Sequence, residues 1–270
     1  PFRENPCNKD IYLFYYLAKK LGIISGDESR ENLVSGFILK WVRDGIITIR
    51  ENESGAIVKK KNYDMYLDVD AKFENKQETA LYKMFILASK EGVLQTKAFQ
   101  KWCSKHYKKI DDWFTKVDNV TEDSMNKNGY AKTKTIYKRF LFWNIPRDRT
   151  VWTDKAYDQC LYVWGFNNFL ADEDNMKEKA AIEVKLWDEY LIFAAVLGIA
   201  DRVEKQLKVA IPRYEETTTY NNFPLYYYTH TFAHNSMSAA SSAASAGQGG
   251  SSSFSGGGGG FSGGGGGGVR

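Results

Sequence analysis

Few residue pairs in the chain combine types and spacing that suit catalysis or metal binding. Cys103 and His106 lie three apart on a predicted helix, where an imidazole could activate a thiolate nucleophile. His230 and His234 lie four apart, a spacing that places two metal ligands on one helical face. However, Cys103 stands among aromatic residues typical of a packed core. Pro224 and a Thr-, Asn- and Ser-rich context argue against a helix around the histidines. We therefore expect no enzyme and no metal or other cofactor.

The strongest local pattern in the sequence is basic. Lysines recur about every four residues along one predicted helix, namely Lys97, Lys101, Lys105, Lys108 and Lys109. A second cluster, Lys59, Lys60 and Lys61, occupies a predicted wing. Two further cations, Lys40 and Arg43, lie late in the helix before that wing. Such surfaces suit anionic lipid headgroups or nucleic-acid phosphates. A solvated face is the simplest interpretation, because most of the cations are lysine, which makes no bidentate contacts. Lipid and nucleic acid remain the alternatives.

Charge and composition change along the chain. Of 270 residues with a net charge of +4, residues 1–70 are neutral, 71–143 carry +7 and 144–220 carry −4. The last 50 residues hold one charged residue, Arg270, and 14 of the 23 glycines fall after residue 246. A duplex-binding domain usually needs a markedly positive surface, so the neutral first segment weighs against nucleic acid.

Cysteine number and apolar run length exclude two further classes. The three cysteines are far apart and odd in number, so neither a disulfide framework nor a zinc site is expected. The longest apolar run, residues 190–200, is well short of the roughly 20 residues that span a bilayer.

Hydrophobic periodicity predicts four segments. Residues 1–70 read as two helices, ended by Gly22 and Gly45, followed by a β-hairpin, which is the order of a winged helix. Residues 71–143 repeat that plan, with a long helix ending at Gly129. Residues 144–220 predict a helical domain with one long buried helix, 180–208, in which Ala194 and Gly198 would leave room for a neighbouring helix.

The final segment, residues 221–270, is predicted to be a flexible tail. It begins with aromatic residues and continues into Ser/Ala- and then Gly-rich sequence that cannot bury enough apolar surface to order. We expect disorder over 236–270. Five aromatic residues are the candidate contacts of this tail: Tyr226, Tyr227, Tyr228, Phe254 and Phe261.

Several segments together resemble one family. The sequences KLWDEYLIFAAVLGIADRVEKQLK, WGFNNFLAD, RENPCNKDIYLFYYLAKKLGI and the terminal SSSFSGGGGGFSGGGGGG are similar to predicted membrane proteins with domain of unknown function 2207, also called YciQ-like. The resemblance implies that this chain is the C-terminal cytosolic part of a longer, membrane-anchored bacterial protein. Many relatives insert two transmembrane helices before the WGF motif, where this chain has only YKRFLFWNIPRDRTVW.

These observations lead to a mainly α fold with small β-hairpins. We expect tandem winged-helix-like units, a helical domain and a Gly-rich tail. The function expected is a non-enzymatic protein-interaction or scaffold module on the cytoplasmic side of the membrane. Its partners would be another protein or a second copy, with anionic lipid as a further contact. The alternative is a nucleic-acid-binding winged-helix domain.

Overall fold

The computed structural model describes residues 5–54, 60–140, 143–172, 184–210 and 225–248. After a 3-10 turn, Pro6–Lys9, these ranges contain the helices α1 Ile11–Lys20, α2 Gly26–Arg43, α3 Lys76–Ala88, α4 Thr96–Lys105, α5 Tyr107–Lys127, α6 Asp154–Ala171, α7 Val184–Val196, α8 Ala200–Ala210 and α9 Leu225–Gln248. The strands are β1 Ile47–Ser54, β2 Lys60–Leu67, β3 Val93–Gln95, β4 Ala131–Phe140 and β5 Trp143–Trp152. The fold is mainly helical with small antiparallel sheets, as expected.

Helix ends follow the predicted signals closely. Asp10 caps α1 by accepting the backbone N–H groups of Tyr12 and Leu13. Gly22, Gly45 and Gly129 follow α1, α2 and α5 with φ between 69° and 73°, a region that glycine enters without steric cost. The predicted ends of these three helices are confirmed.

The strands form two separate sheets. One has the order β1-β2-β3, and the other is the β4–β5 hairpin. In a winged helix, the strand that precedes the second helix pairs with the wing that follows. Here β3 pairs instead with β2, which lies in the first predicted unit. The division into tandem winged-helix units therefore stays a prediction.

The long helix predicted over 180–208 is wrong in one respect, because the chain breaks within it. Helix α7 ends at Val196, and Gly198 has a φ of 76°. The N–H of Gly198 bonds to the carbonyl of Ala195, and the N–H of Ile199 bonds to that of Ala194. This is a Schellman C-cap. Gly198 thus ends a helix, and it also admits a neighbour, because a Cβ there would lie 2.7 Å from Asn32 Nδ2 on α2; a second close approach occurs at Gly36.

The core is built around α2. Leu33, Val34 and Ile38 are completely buried, and α2 packs against both α7 and α9. A Cβ on Gly36 would lie 2.7 Å from Val196 Cγ2 and 3.3 Å from the Ile192 carbonyl oxygen, so glycine permits the approach of α7. The buried all-round apolar surface predicted for residues 190–200 is confirmed.

An aromatic cluster joins α2 to α3. The Trp41 ring centroid lies 5.0 Å from that of Tyr82 and 5.2 Å from that of Phe85, both at nearly right angles. The Trp41 Nε1–H group donates to Glu78 Oε1 at 2.9 Å, and Lys40 Nζ donates to the same oxygen at 2.6 Å. The buried Glu78 carboxylate therefore has both a neutral and a charged partner.

Residues 225–248, predicted to be part of a flexible tail, form helix α9. Phe232, Ala233 and Ser236 are fully buried, and the helix lies against α2 and α4. The hydroxyl oxygens of Ser35 and Thr229 are 3.2 Å apart in this contact. Small residues on α2 and α9 allow the two helices to pack closely. This packing stabilises α9, whose own sequence has only a weak hydrophobic periodicity. Residues 249–270 lie outside the described part of the chain.

Candidate functional site

The three cysteines are buried and held in the neutral thiol form. Burial raises the pKa of Cys7 and of Cys160, and it raises the pKa of Cys103 to about 12. The His106 ring lies 4.6 Å from the Trp102 ring at the junction between α4 and α5. A thiol that resists ionisation is a poor nucleophile, so the structure gives no support to the Cys103–His106 pair.

The buried Cys103 thiol should make folding less favourable in alkali. The pKa of this thiol is about 12 in the folded chain, above the ordinary value near 8.5. Its contribution to the free energy of unfolding is therefore complete below about pH 8.5 and is lost as the pH rises towards 12. Between pH 8 and pH 10 this group should account for a loss of about 2 kcal/mol in the free energy of unfolding. Urea denaturation of the wild type and Cys103→Ala at both pH values measures it. Equal losses in the two proteins would contradict the prediction.

The two histidines lie on one helical face after all. They are on α9, which begins at the residue after Pro224, and a proline just before a helix costs no helical hydrogen bond. His230 and His234 stack with ring centroids 6.4 Å apart, and His234 Nδ1 lies 2.8 Å from Glu31 Oε2. Across the ranges described, no three His, Cys, Asp or Glu residues group to hold a metal. His234 therefore connects α9 to α2, whereas His230 stacks within α9.

The predicted lysine stripe falls on two consecutive helices. Lys97, Lys101 and Lys105 lie on α4, whereas Lys108 and Lys109 open α5 after a break at His106. All five lysines are exposed, and none forms an ion pair with another described residue. The structure thus leaves these charges available to solvent or to an anionic partner.

The other predicted cations are distributed differently. Lys40 is paired with Glu78 and Asp44, and Arg43 is paired with Asp44. These two cations therefore stabilise the fold. Lys60 and Lys61 begin β2, opposite Ser54 and Glu53, and Lys59 lies outside the described residues. The side chains of Lys60 and Lys61 also lie outside the described part of the chain, so the role predicted for this cluster stays a prediction.

Among the predicted tail contacts, Tyr226 and Tyr228 face the protein's own core. They are 8% and 9% exposed, and the Tyr228 hydroxyl donates to the Tyr63 carbonyl oxygen at 3.0 Å. Tyr227 is 72% exposed. Phe254 and Phe261 lie outside the described residues. Of the three tyrosines, Tyr227 alone is presented to a partner.

A cleft of about 340 Å³ lies beside the N-terminal turn. Two charged groups that line it already have structural partners: Asp10 caps α1, and Lys155 donates to the Asn128 carbonyl oxygen. The Tyr12 hydroxyl has no hydrogen-bond partner within the described chain, and burial raises its pKa. A tyrosine held neutral, with its charged neighbours engaged, offers no general base.

Helix α6 carries an exposed apolar surface that sequence analysis missed. Tyr157, Leu161 and Trp164 are spaced i, i+4, i+7 and are 57%, 58% and 55% exposed. We call these three residues the α6 stripe. The opposite side of α6 includes Val163 and Phe166, which are fully buried. Apolar residues on both sides of a helix were a readable sign of two contact surfaces.

The β4–β5 hairpin is a second surface that sequence analysis missed. Tyr130 and Ala131 at its base are buried, but the described side chains beyond them are exposed on β4, from Lys132 to Arg139. Ten residues per strand give a length of roughly 33 Å. The hairpin therefore projects from the helical body. The prediction of a β-like stretch over 130–143 is confirmed.

The observations so far define a mainly helical protein with two exposed surfaces, the α6 stripe and the β4–β5 hairpin. Its described residues form no catalytic centre. Comparison with protein families gives the next step. Residues 139–207 match the family described as predicted membrane protein (DUF2207) C-terminal domain, which supports the DUF2207 family for this chain. Searches among curated proteins and solved structures find no match. Within the ranges that the structure describes, no helix is both long and apolar enough to cross a bilayer.

Proposed function

We propose that this chain is a non-enzymatic protein-interaction module, acting at the cytoplasmic face of the membrane. The observation that carries the proposal is the α6 stripe, within the segment that matches the family. Contiguous apolar residues exposed on a soluble surface mark contact sites. The buried cysteines and the structural use of the histidines support a role without catalysis.

A second copy of the chain is the proposed occupant of the α6 stripe. Residues 159–170, which include Leu161 and Trp164, contain no charged residue. The Leu161–Trp164 end of the stripe is uncharged and does not repel its own copy, whereas Asp158 borders the Tyr157 end; a two-fold axis can bring the same helix from two copies together. The contact would bury aromatic side chains, which contribute strongly at interfaces.

We expect Leu161→Lys to weaken self-association at least about tenfold, because a charge placed in an apolar contact loses its water. Sedimentation velocity over a range of protein concentrations measures the change. Leu161 is exposed and lysine is a good helix former, so the monomer should stay folded.

Leu87→Lys is the matched control, since Leu87 is 66% exposed on α3, away from the stripe. Association that persists in this variant and is lost in Leu161→Lys supports the proposal. A wild-type chain that stays monomeric at high concentration overturns it, and so does equal association of both variants.

A further inference from the structure

We infer that the β4–β5 hairpin docks on the surface of an anionic lipid bilayer. The inference concerns a different surface from the α6 stripe and does not depend on self-association. It rests on the register of the hairpin, on the charge that this register collects, and on the exposure of the five residues on one of its faces whose side chains are described, Lys132, Lys134, Ile136, Arg149 and Val151.

Only the base of the hairpin packs against the protein body; beyond it, Thr133 and Tyr137 on the face of Ala131 are exposed as well. Ala131 and Trp152 are register partners at the base, where Ala131 is 5% exposed and Trp152 is half-buried. Residues directly opposite each other share a face, and successive residues alternate between faces. Lys132 and Val151, the next pair along, therefore belong to the opposite face, which we call the outward face.

The outward face collects cations and apolar residues. Its register pairs are Lys132–Val151, Lys134–Arg149, Ile136–Arg147, Lys138–Ile145 and Phe140–Trp143. Five of these ten residues are lysine or arginine, five are apolar and none is acidic. The acidic residue of the hairpin, Asp148, is opposite Thr135 on the other face.

This arrangement weakens the isolated hairpin. Lys134 and Arg149 are directly opposite, both are exposed, and neither forms an ion pair with another residue in the described ranges. Like charges facing each other across a strand pair are destabilising. An anionic surface next to these two cations would attract both of them and offset their mutual repulsion. This pairing is therefore more favourable against an anionic surface than in water.

The apolar half of the face distinguishes lipid from other anions. Ile136 is 37% exposed and Val151 is 40% exposed, between the cationic positions. Apolar and aromatic residues interleaved with Lys and Arg are typical of segments that lie in the headgroup region of a bilayer. A nucleic acid would neutralise the cations and leave these apolar side chains in water. The family description, predicted membrane protein, agrees with lipid.

The test is co-sedimentation of the full 270-residue chain with vesicles of phosphatidylcholine and phosphatidylserine at near-physiological salt. Each cation near an anionic surface contributes about a fivefold gain in affinity, so Lys134→Gln with Arg149→Gln should weaken binding about thirtyfold. Because these substitutions remove a repulsive pair, the melting temperature should not fall. Vesicles of phosphatidylcholine alone should not bind the wild type.

The matched control is Lys97→Gln with Lys101→Gln, which removes two exposed cations from α4. This variant should bind the vesicles as the wild type does. The inference is overturned if the wild type does not bind, if the hairpin variant binds unchanged, or if the α4 variant loses as much. It is also overturned if the hairpin variant loses affinity for a DNA duplex while vesicle binding stays unchanged. Self-association measured as above can succeed or fail separately.

Discussion

Trp41→Ala should remove most of the stability of the fold. The side chain is completely buried, and truncating a buried tryptophan costs about 3–5 kcal/mol. The change also removes the indole N–H that bonds to Glu78, whose loss costs a further 1–3 kcal/mol or so. Folded domains are stable by only about 5–15 kcal/mol. Urea denaturation followed by circular dichroism measures the loss.

Two further variants separate packing from hydrogen bonding. Trp41→Phe keeps an aromatic ring against Tyr82 and Phe85 but lacks the N–H donor, so it should lose roughly the 1–3 kcal/mol assigned to Glu78. Trp164→Ala makes the same truncation at a residue that is 55% exposed, and we expect a change of about 0.5 kcal/mol. If Trp41→Ala cost no more than Trp164→Ala, this account of the aromatic cluster would be wrong.

Gly198→Ala should be the most damaging of the glycine substitutions that force a side chain into left-handed backbone. The φ of 76° costs a non-glycine residue about 1–2 kcal/mol. The new Cβ would also lie 2.7 Å from Nδ2 of Asn32, which is only 2% exposed. Displacing a buried side chain adds about 1–3 kcal/mol. The sum should appear as a lower urea midpoint.

Gly45→Ala is the control for the backbone term. Gly45 also follows a helix, with a φ of 73°, but an added Cβ would have no atom within 4 Å. The difference between the two variants therefore isolates the collision with Asn32. Equal destabilisation of both proteins would show that Asn32 moves aside at no cost.

Local signals predicted the helix boundaries well. The glycines at 22, 45 and 129 act within one turn of chain, so their effect can be read without knowing the fold. The same logic did not reveal the break at Gly198, because apolar residues continue on both sides of it. A glycine inside an apolar run can serve close packing or a C-cap, and Gly198 serves both, so the close approach was predicted and the helix end was not.

Long-range packing was the part that the sequence did not reveal. Residues 236–248 are mostly serine, alanine and glycine, a composition typical of disorder, yet α9 is held by α2 through the Ser35–Thr229 contact. The face of the β4–β5 hairpin was equally hidden. Its register follows from pairing across the strands, and the sequence between Phe140 and Trp143 has no Asn-Gly or Asp-Gly signal that predicts a hairpin.

Helix α9 also has a consequence for synthesis. Its partners Glu31 and Ser35 are made about 200 residues before His234 and Thr229, the residues that contact them. Because a chain emerges from the ribosome in order, α2 must wait with one apolar flank uncovered until about 200 further residues have been translated. The nascent chain therefore carries an exposed apolar surface while these residues are added, and termination before residue 225 leaves that surface permanently uncovered.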